Sequence, residues 1–222
     1  MRKKIFFVML TLILFFCIIH KNTYENNENK TKFSKLKINQ NDKIVNANRY
    51  IEIQGSFVFD SSIKEQYKNS DLVISGKILN AEYLVCDNIP WSKIEIQCKD
   101  VFKGRIDKDS SILVYVLGGY LEKKSYEKKF GSLDGNISND TLIELDYFQN
   151  DLSNPGDEGI FYLVSNNANS IFEENTYSFV CSGYSKMMYD ENGDNIIYKN
   201  DTGVQVISKK DYFAKLNKII KQ

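Results

Sequence analysis

The sequence predicts a mostly β domain, a small closed or nearly closed antiparallel barrel with a short helix before its first long strand and an amphipathic helix at its C-terminus. Three observations carry that expectation. Residues 70–78 are mostly apolar, and the next strand ends in Val101-Phe102-Lys103-Gly104, a Lys-Gly corner. Ile94, Ile96 and Cys98 alternate with Lys93, Glu95, Gln97 and Lys99, which is the period of a half-buried strand. Residues 112–117 form a further apolar run that ends in Gly118-Gly119. Strands this apolar would present sticky edges if left open, and closure of the sheet removes them.

The elements follow in order. Ile51-Glu52-Ile53 alternates as a first short strand would. Ser62 with Glu65 three residues on is a capping box, which predicts a helix over 63–68. Residues 72–85 read as one long strand, buried on both faces along part of its length. Asp87-Asn88-Ile89-Pro90 is a turn signal, and Trp91 opens the return strand. Gly104 permits the corner, after which residues 107–110 lead into the strand 112–117.

Between Tyr120 and Asp140 the chain turns polar, with Lys123, Lys124, Lys128 and Lys129, and reads as a long functional or disordered excursion. Strand character returns over 142–145, over 160–164 after the Pro155-Gly156-Asp157 turn, and over 177–181. Asn192-Gly193 tolerates positive φ at both residues and predicts a hairpin joining 187–191 to 194–198. Ser208, with Asp211 three residues on, caps a final helix whose Phe213, Leu216 and Ile220 share one face.

Ahead of this body stands a different kind of sequence. Arg2, Lys3 and Lys4 precede an uncharged apolar run over residues 5–19, the layout of an export signal with its basic end held inside. As a helix that run measures about 22 Å at roughly 1.5 Å per residue, short of a comfortable bilayer span. Residues 14–17, Leu-Phe-Phe-Cys, approach a lipid-attachment motif, but Phe16 stands where a small residue is wanted. Ile18, Ile19 and His20 give no small-residue cleavage site. Uncleaved anchor, lipid anchor on Cys17 and cleaved signal all stay open, and two of the three keep the domain at the membrane. The organisation expected is therefore an export signal or membrane anchor over 1–20, a flexible Asn/Lys-rich stalk over 21–50 and the β-barrel domain over 51–222.

A formal charge of zero hides an asymmetry. Residues 1–50 hold ten Lys/Arg and three Asp/Glu, a net +7, whereas residues 51–222 hold nineteen and twenty-six, a net −7. An acidic domain repels phosphate backbones, so nucleic acid is not an expected partner. Outside the first 20 residues the cysteines are Cys86, Cys98 and Cys181, an odd number with no Cys-x-x-Cys pair. One disulfide among them is compatible with an oxidising location, and the sequence does not choose the pair.

Candidate chemistry is sparse. The one histidine is His20, at the end of the apolar run, so a serine or cysteine nucleophile lacks its base and the usual zinc sites lack nitrogen ligands. Asp157 with Glu158, and Glu173 with Glu174, are adjacent carboxylates that would point to opposite faces of a strand. Asp190, Asn192 and Asp194 alternate as a calcium loop would, but Gly193 is fourth rather than sixth and Asp201 stands twelfth in place of glutamate. Tyr120, Tyr126 and Phe130 interleave with Lys123, Lys124, Lys128 and Lys129 in the polar excursion, the make-up of a loop that grips sugar or an anionic polymer. No cofactor or metal is expected from these residues.

Residues 70–78, 101–104, Gly118-Gly119 and Gly156-Asp157-Glu158 leading into 160–164 together resemble a broad group of exported bacterial proteins of unknown function. That group is similar in turn to the OB-like barrels of the tissue-inhibitor-of-metalloproteinase and netrin type. The resemblance covers about half of the chain and implies the barrel fold. The vertebrate inhibitors carry an N-terminal cysteine and a dense disulfide framework, both missing here beyond the export segment, so metalloproteinase inhibition does not transfer. The function expected is a non-catalytic, extracytoplasmic binding module, attached to the membrane through its N-terminal segment, whose partner is a cell-envelope polymer or protein. An inhibitor of an extracellular hydrolase and a secreted carboxylate-dependent enzyme are the alternatives.

Overall fold

Two strands of fifteen residues, β3 (Leu72–Cys86) and β4 (Ile89–Lys103), form the long hairpin on which the sheet is built. Asp87 and Asn88 join them at φ 52° and 58°, the pair of left-handed residues that a two-residue turn of matching twist demands. The computed structural model describes residues 33–39, 42–46, 61–133, 137–146, 152–167, 171–173, 175–200 and 203–222. Ahead of the hairpin come β1 (Ser34–Lys35), β2 (Ile44–Asn46) and α1 (Ile63–Asn69); after it come β5 (Ser111–Glu122), α2 (Lys123–Phe130) and β6 (Leu142–Asp146). The rest is β7 (Glu158–Ser165), β8 (Tyr177–Phe179), a 3-10 turn (Ser182–Ser185), β9 (Lys186–Tyr189), β10 (Asn195–Asn200), β11 (Gly203–Ser208) and α3 (Lys209–Ile220).

The fold is mostly β, and its sheet closes partly into a ring. β3 pairs antiparallel with β4 on one edge and with β7 on the other, and β4 pairs with β5. β8 completes the circuit, antiparallel to β7 and parallel to β5. Beyond the ring, β7 continues through β9 and β10 to the edge strand β11. Inside the ring lie Ile74, Ile78, Ile94, Ile96, Cys98, Val114, Phe161 and Leu163. The period-two expectation for β4 holds residue by residue, with Ile94, Ile96 and Cys98 at zero exposure.

Gly76 explains how β3 serves two neighbours. A β-carbon there would sit 2.6 Å from the Gln97 carbonyl oxygen and 2.7 Å from Ile96 Cγ2, so only hydrogen fits. The β3–β4 register shifts between Ser75 and Gly76, the mark of a bulge that bends the strand. The outer face of β3, β7, β9 and β10 forms a second core, where Val73, Ile160, Tyr162, Met187 and Ile196 meet Tyr212 and Leu216 of α3. Tyr162 and Tyr212 hydroxyls hydrogen-bond each other inside it. Both helices at the ends of the domain start as their caps predict: Ser62 accepts the Glu65 N–H, and Ser208 accepts that of Asp211. Gln66 of α1 donates to the Ser61 and Tyr184 carbonyls, tying the helix to the 3-10 turn.

Several expectations are corrected. The third apolar strand does not end at its double glycine: β5 pairs with β4 as far as Leu117, then from Gly118 pairs with β6. Gly118 and Gly119, at φ 121° and 144°, are where the strand changes partners. The polar excursion after Tyr120 contains α2, whose Tyr126 packs with Leu121, Ile143 and Leu145 in a third small core. The Asn192-Gly193 hairpin is real, but its strands end at Tyr189 and resume at Asn195, with only Gly193 at positive φ. β11 was not expected, and it pairs with β10 along its whole length. Within the stretch expected to be stalk, Ser34 and Lys35 pair with Val85 and Leu84, and residues 44–46 run parallel to β6. The export segment over 1–20, residues 21–32 of the stalk and the strand expected at 51–53 lie outside the described residues.

Cys86, Cys98 and Cys181 are buried, and the disulfide left open by the sequence is not formed among them. Burial pushes the thiols of Cys86 and Cys98 up, and Asp87 and Asp100 add to the effect.

Two stability outcomes follow from these contacts. Gly76→Ala is expected to cost about 1–3 kcal/mol by forcing β3 away from β4, against less than about 0.5 kcal/mol for a substitution at exposed Leu79. Urea unfolding measures both. Tyr212→Phe strands the buried Tyr162 hydroxyl and is expected to cost about 1–3 kcal/mol, while the Tyr162→Phe/Tyr212→Phe double variant recovers most of that loss. A double variant no more stable than the single one would show that the hydroxyl pair is not what matters.

Candidate binding cleft

The ring is incomplete at one place, and the cleft lies there. β5 and β8 pair only at Val114 with Tyr177 and at Tyr115 with Ser178. Past those residues β5 is drawn off toward β6, while β8 ends at Phe179. The gap is a cavity of about 390 Å³. It is lined by the apolar Val116, Leu117, Phe179 and Val180 and by the polar Asn166, Ser178 and Ser182. Ser182 holds φ 47°, an uncommon conformation for a residue with a side chain.

One wall is aromatic. Trp91 enters from the first turns of β4, directly across from Leu117, and Lys93 lies across from Tyr115. Phe172 comes from the loop between β7 and β8, and its ring centroid stands 5.3 Å from Trp91 and 4.9 Å from Tyr115. Phe33, from the segment just before β1, stacks on Phe172 at 6.0 Å and lies 5.4 Å from Tyr115. Period-two geometry places Trp91, Lys93, Tyr115 and Leu117 on the outer face of the ring, opposite the residues that fill its interior.

The loop carrying Phe172 is held from both ends. Asn166 donates its side-chain amide to Thr176 and accepts from Ser178, and the Thr176 hydroxyl donates to the Glu173 carbonyl. Lys93 reaches both carboxylate oxygens of Glu173 at 2.9 Å, and its ammonium lies 5.6 Å from the Tyr115 ring centre. The Lys93 hydrogen bond is the main reason the Glu173 carboxyl falls below its ordinary range, with Tyr115 adding to it. Burial works against the Lys93 charge, yet Glu173 and Tyr115 outweigh it and leave the lysine raised. Burial pushes the Tyr115 hydroxyl up. Among the described residues no charged side chain lines the cavity itself; the Lys93–Glu173 pair sits beside Tyr115 and Phe172 of its lining.

The residues singled out from sequence lie elsewhere, apart from Glu173. Glu158 pairs with Lys77 and Lys99, whereas Asp157 closes the turn by accepting the Asn154 N–H, so the two carboxylates serve different contacts. Glu173 belongs to the Lys93 tie, and Glu174 is outside the described residues. The Asp190 carboxylate accepts from the backbones of Asp194 and Asn195 and from the Asn195 amide, which draws it below its ordinary range. That loop is a hydrogen-bonded turn. The aromatic residues of the polar excursion are not presented on a loop: Tyr126 is buried against Phe130, and Tyr120 packs edge-on against Tyr83. Sequence reading missed Phe33, Tyr115 and Phe172. The available signal was the single tryptophan at the start of an alternating strand.

No family model, curated protein or solved structure matches the chain.

The Glu173 tie has a pH consequence that Trp91, the only tryptophan, reports by its fluorescence. A carboxyl lowered in the folded state contributes fully above its ordinary value of 4.5 and is lost as pH falls through the lower folded value. Acidification below that value is expected to loosen the Phe172 loop and shift Trp91 emission. Glu173→Gln should show the loosened spectrum already at neutral pH and no acid transition of its own. An unchanged transition in the variant would assign it to another group.

Proposed function

We propose that the chain is an extracytoplasmic binding module, tethered at the membrane by its N-terminal apolar segment, that takes a neutral sugar unit of a cell-envelope polymer in the Trp91–Phe172 cleft without chemical turnover. The observation that carries this reading is the cavity's make-up: the aromatic rings of Trp91, Tyr115 and Phe172, the polar side chains of Asn166, Ser178 and Ser182, and no formal charge among the described residues that line it. A pyranose ring offers apolar C–H faces to aromatic rings and hydroxyls to serine and amide groups. The −7 charge of residues 51–222 disfavours anionic polymers and leaves neutral ones.

The five ring strands also support an OB-like barrel as the architecture. Counted along the chain they are β3, β4, β5, β7 and β8, five strands as in a partly open barrel of that type. In barrels of that type the face of the second and third strands binds ligand together with the loop between the fourth and fifth. Here those parts are β4 with β5 and the loop bearing Phe172. The cleft falls at their junction.

Calorimetric titration of the full-length chain in detergent with neutral and uronic-acid-containing oligosaccharides tests this. Binding of a neutral oligosaccharide is expected, weakened about tenfold or more in Trp91→Ala and in Phe172→Ala, with the anionic ones bound less well. Equal affinity in both variants would remove the cleft from the reading. Appearance of new reducing ends during the titration would replace binding by hydrolysis.

A further inference from the structure

On β9, β10 and β11 the face turned away from α3 carries side chains that the Trp91 cleft does not use. Met188 lies directly across from Ile197, and Lys199 directly across from Val204, so the four share that face. Lys186 joins them, two residues before Met188. The opposite face holds Met187 and Ile196, which are buried with Tyr212 and Leu216. A groove of about 310 Å³ is lined by the first face and by the segment 152–157. That segment is clamped to β3: the Gly156 N–H donates to the Ile78 carbonyl, and the Ile78 N–H donates to the Asp157 carbonyl.

Two features of the lining point to an anion with an apolar body. The first is charge. Among the described residues the groove is lined by two lysines, Lys186 and Lys199, against one acidic residue, Asp157, whose carboxylate already accepts the Asn154 N–H. A local excess of positive charge stands out on a body of net −7. Lys186 is 8% exposed, and a charge taken that far from water is favoured by each counter-charge brought near it. The second feature is Ser153. It is 7% exposed and lines the groove, yet its hydroxyl has no hydrogen-bond partner among the described residues. Buried hydroxyls are ordinarily paired, and an acceptor placed in the groove pairs this one. The apolar part of the lining is Leu152, Met188, Ile197 and Val204, with Ile197 and Val204 exposed. Aliphatic side chains left open beside two lysines suit a ligand charged at one end.

We propose that this groove is a second binding site, which takes a small carboxylate carrying an aliphatic body. The Ser153 hydroxyl donates to the carboxylate, Lys186 and Lys199 supply its counter-charge, and the aliphatic part lies along Met188, Ile197 and Val204. Two lysines against one aspartate leave a net of one positive charge, which matches a carboxylate better than a doubly charged phosphate. The aliphatic lining gives a bare inorganic anion nothing to bury. Two sources present this chemistry, a free branched-chain acid and the C-terminal residue of a peptide, because each sets one carboxylate beside an aliphatic chain. The site is independent of the Trp91 cleft and of what the cleft binds, since no described residue lines both.

The probe is isocaproate, with isocaproamide as the uncharged molecule of the same shape, titrated into the full-length chain in a non-ionic detergent. The methyl resonance of Met188 reads the binding. Isotope labelling of methionine methyls marks four residues, Met1, Met9, Met187 and Met188, and Met188→Leu assigns the signal. Isocaproate is expected to shift it with a dissociation constant of about a millimolar or below, and to bind about tenfold or more tighter than the amide. Lys199→Gln should remove most of that preference and leave the amide unchanged. Ser153→Ala should weaken isocaproate about threefold or more, as loss of a hydrogen bond to a charged group does. Val204→Asp, at an exposed position that leaves the fold intact, should abolish carboxylate binding, whereas Trp91→Ala should bind as the parent does. N-acetyl-leucine bound more tightly than isocaproate assigns the peptide terminus as the source, and weaker binding assigns the free acid. Equal binding of acid and amide, a Met188 signal that moves with neither, or unchanged isocaproate affinity in Lys199→Gln or in Val204→Asp would each overturn the proposal.

Discussion

The fold depends on β3 being paired along both edges at once. Leu72–Lys77 exchange backbone bonds with β7 on one side while the same strand runs against β4 on the other. A strand so flanked is buried on both faces wherever something covers the outside, and here α1 and α3 do so. That is why Val73 joins the outer core while Ile74 and Ile78 fill the inner one. Beyond Lys77 the pairing with β7 ends, and the strand keeps β4 and, toward its end, β1. The change from a continuous apolar run to alternation along β3 follows this change of neighbours.

Pulling β3 against β7 curls the sheet, and the far side of the circuit takes the strain of closure. There the ring is held by two residue pairs between β5 and β8. The double glycine decides how it fails to close further. Gly118 and Gly119 let β5 swing to β6, and at Gly119 a β-carbon would meet Tyr83 at 3.2 Å and the Trp91 carbonyl at 3.3 Å. The residues that redirect β5 thus stand beside Trp91, and the opening they leave is the cleft. Fold and site have one geometric cause.

The parts of the fold that were legible are those where one strand's neighbours decide its burial. β4 shows its alternation openly because one face is core and the other solvent along the ring, and the two end helices announce themselves through Ser62 and Ser208. β11 was hidden for the opposite reason. Its valines face outward and Gln205 faces the sheet side covered by α3, so the apolar-inside rule reads it as loop. α2 was hidden because Lys123, Lys124, Lys128 and Lys129 mask a two-residue anchor, Tyr126 and Phe130, spaced at i and i+4. β1 and β2 are too short to show any period and exist through pairing with distant strands. The cleft was not legible because Phe33, Trp91, Tyr115 and Phe172 are scattered over some 140 positions, and only the folded sheet gathers them.

Whether those four rings are a small core or a site turns on how firmly the Phe172 loop is held. The Lys93–Glu173 pair is exposed on the glutamate side, at 59%, so it contributes about 0–1 kcal/mol. Each aromatic pair adds about 0.5–1.5 kcal/mol beyond its buried area. Side-chain bonds within residues 165–178 shape the loop, and Lys93 ties its Glu173 to β4. The Phe172 ring itself contacts Trp91, Tyr115 and Phe33, a kind of interaction that a sugar face can also make. Ring contacts of this kind, beside a cavity of about 390 Å³, are the feature on which the proposed sugar-binding role rests.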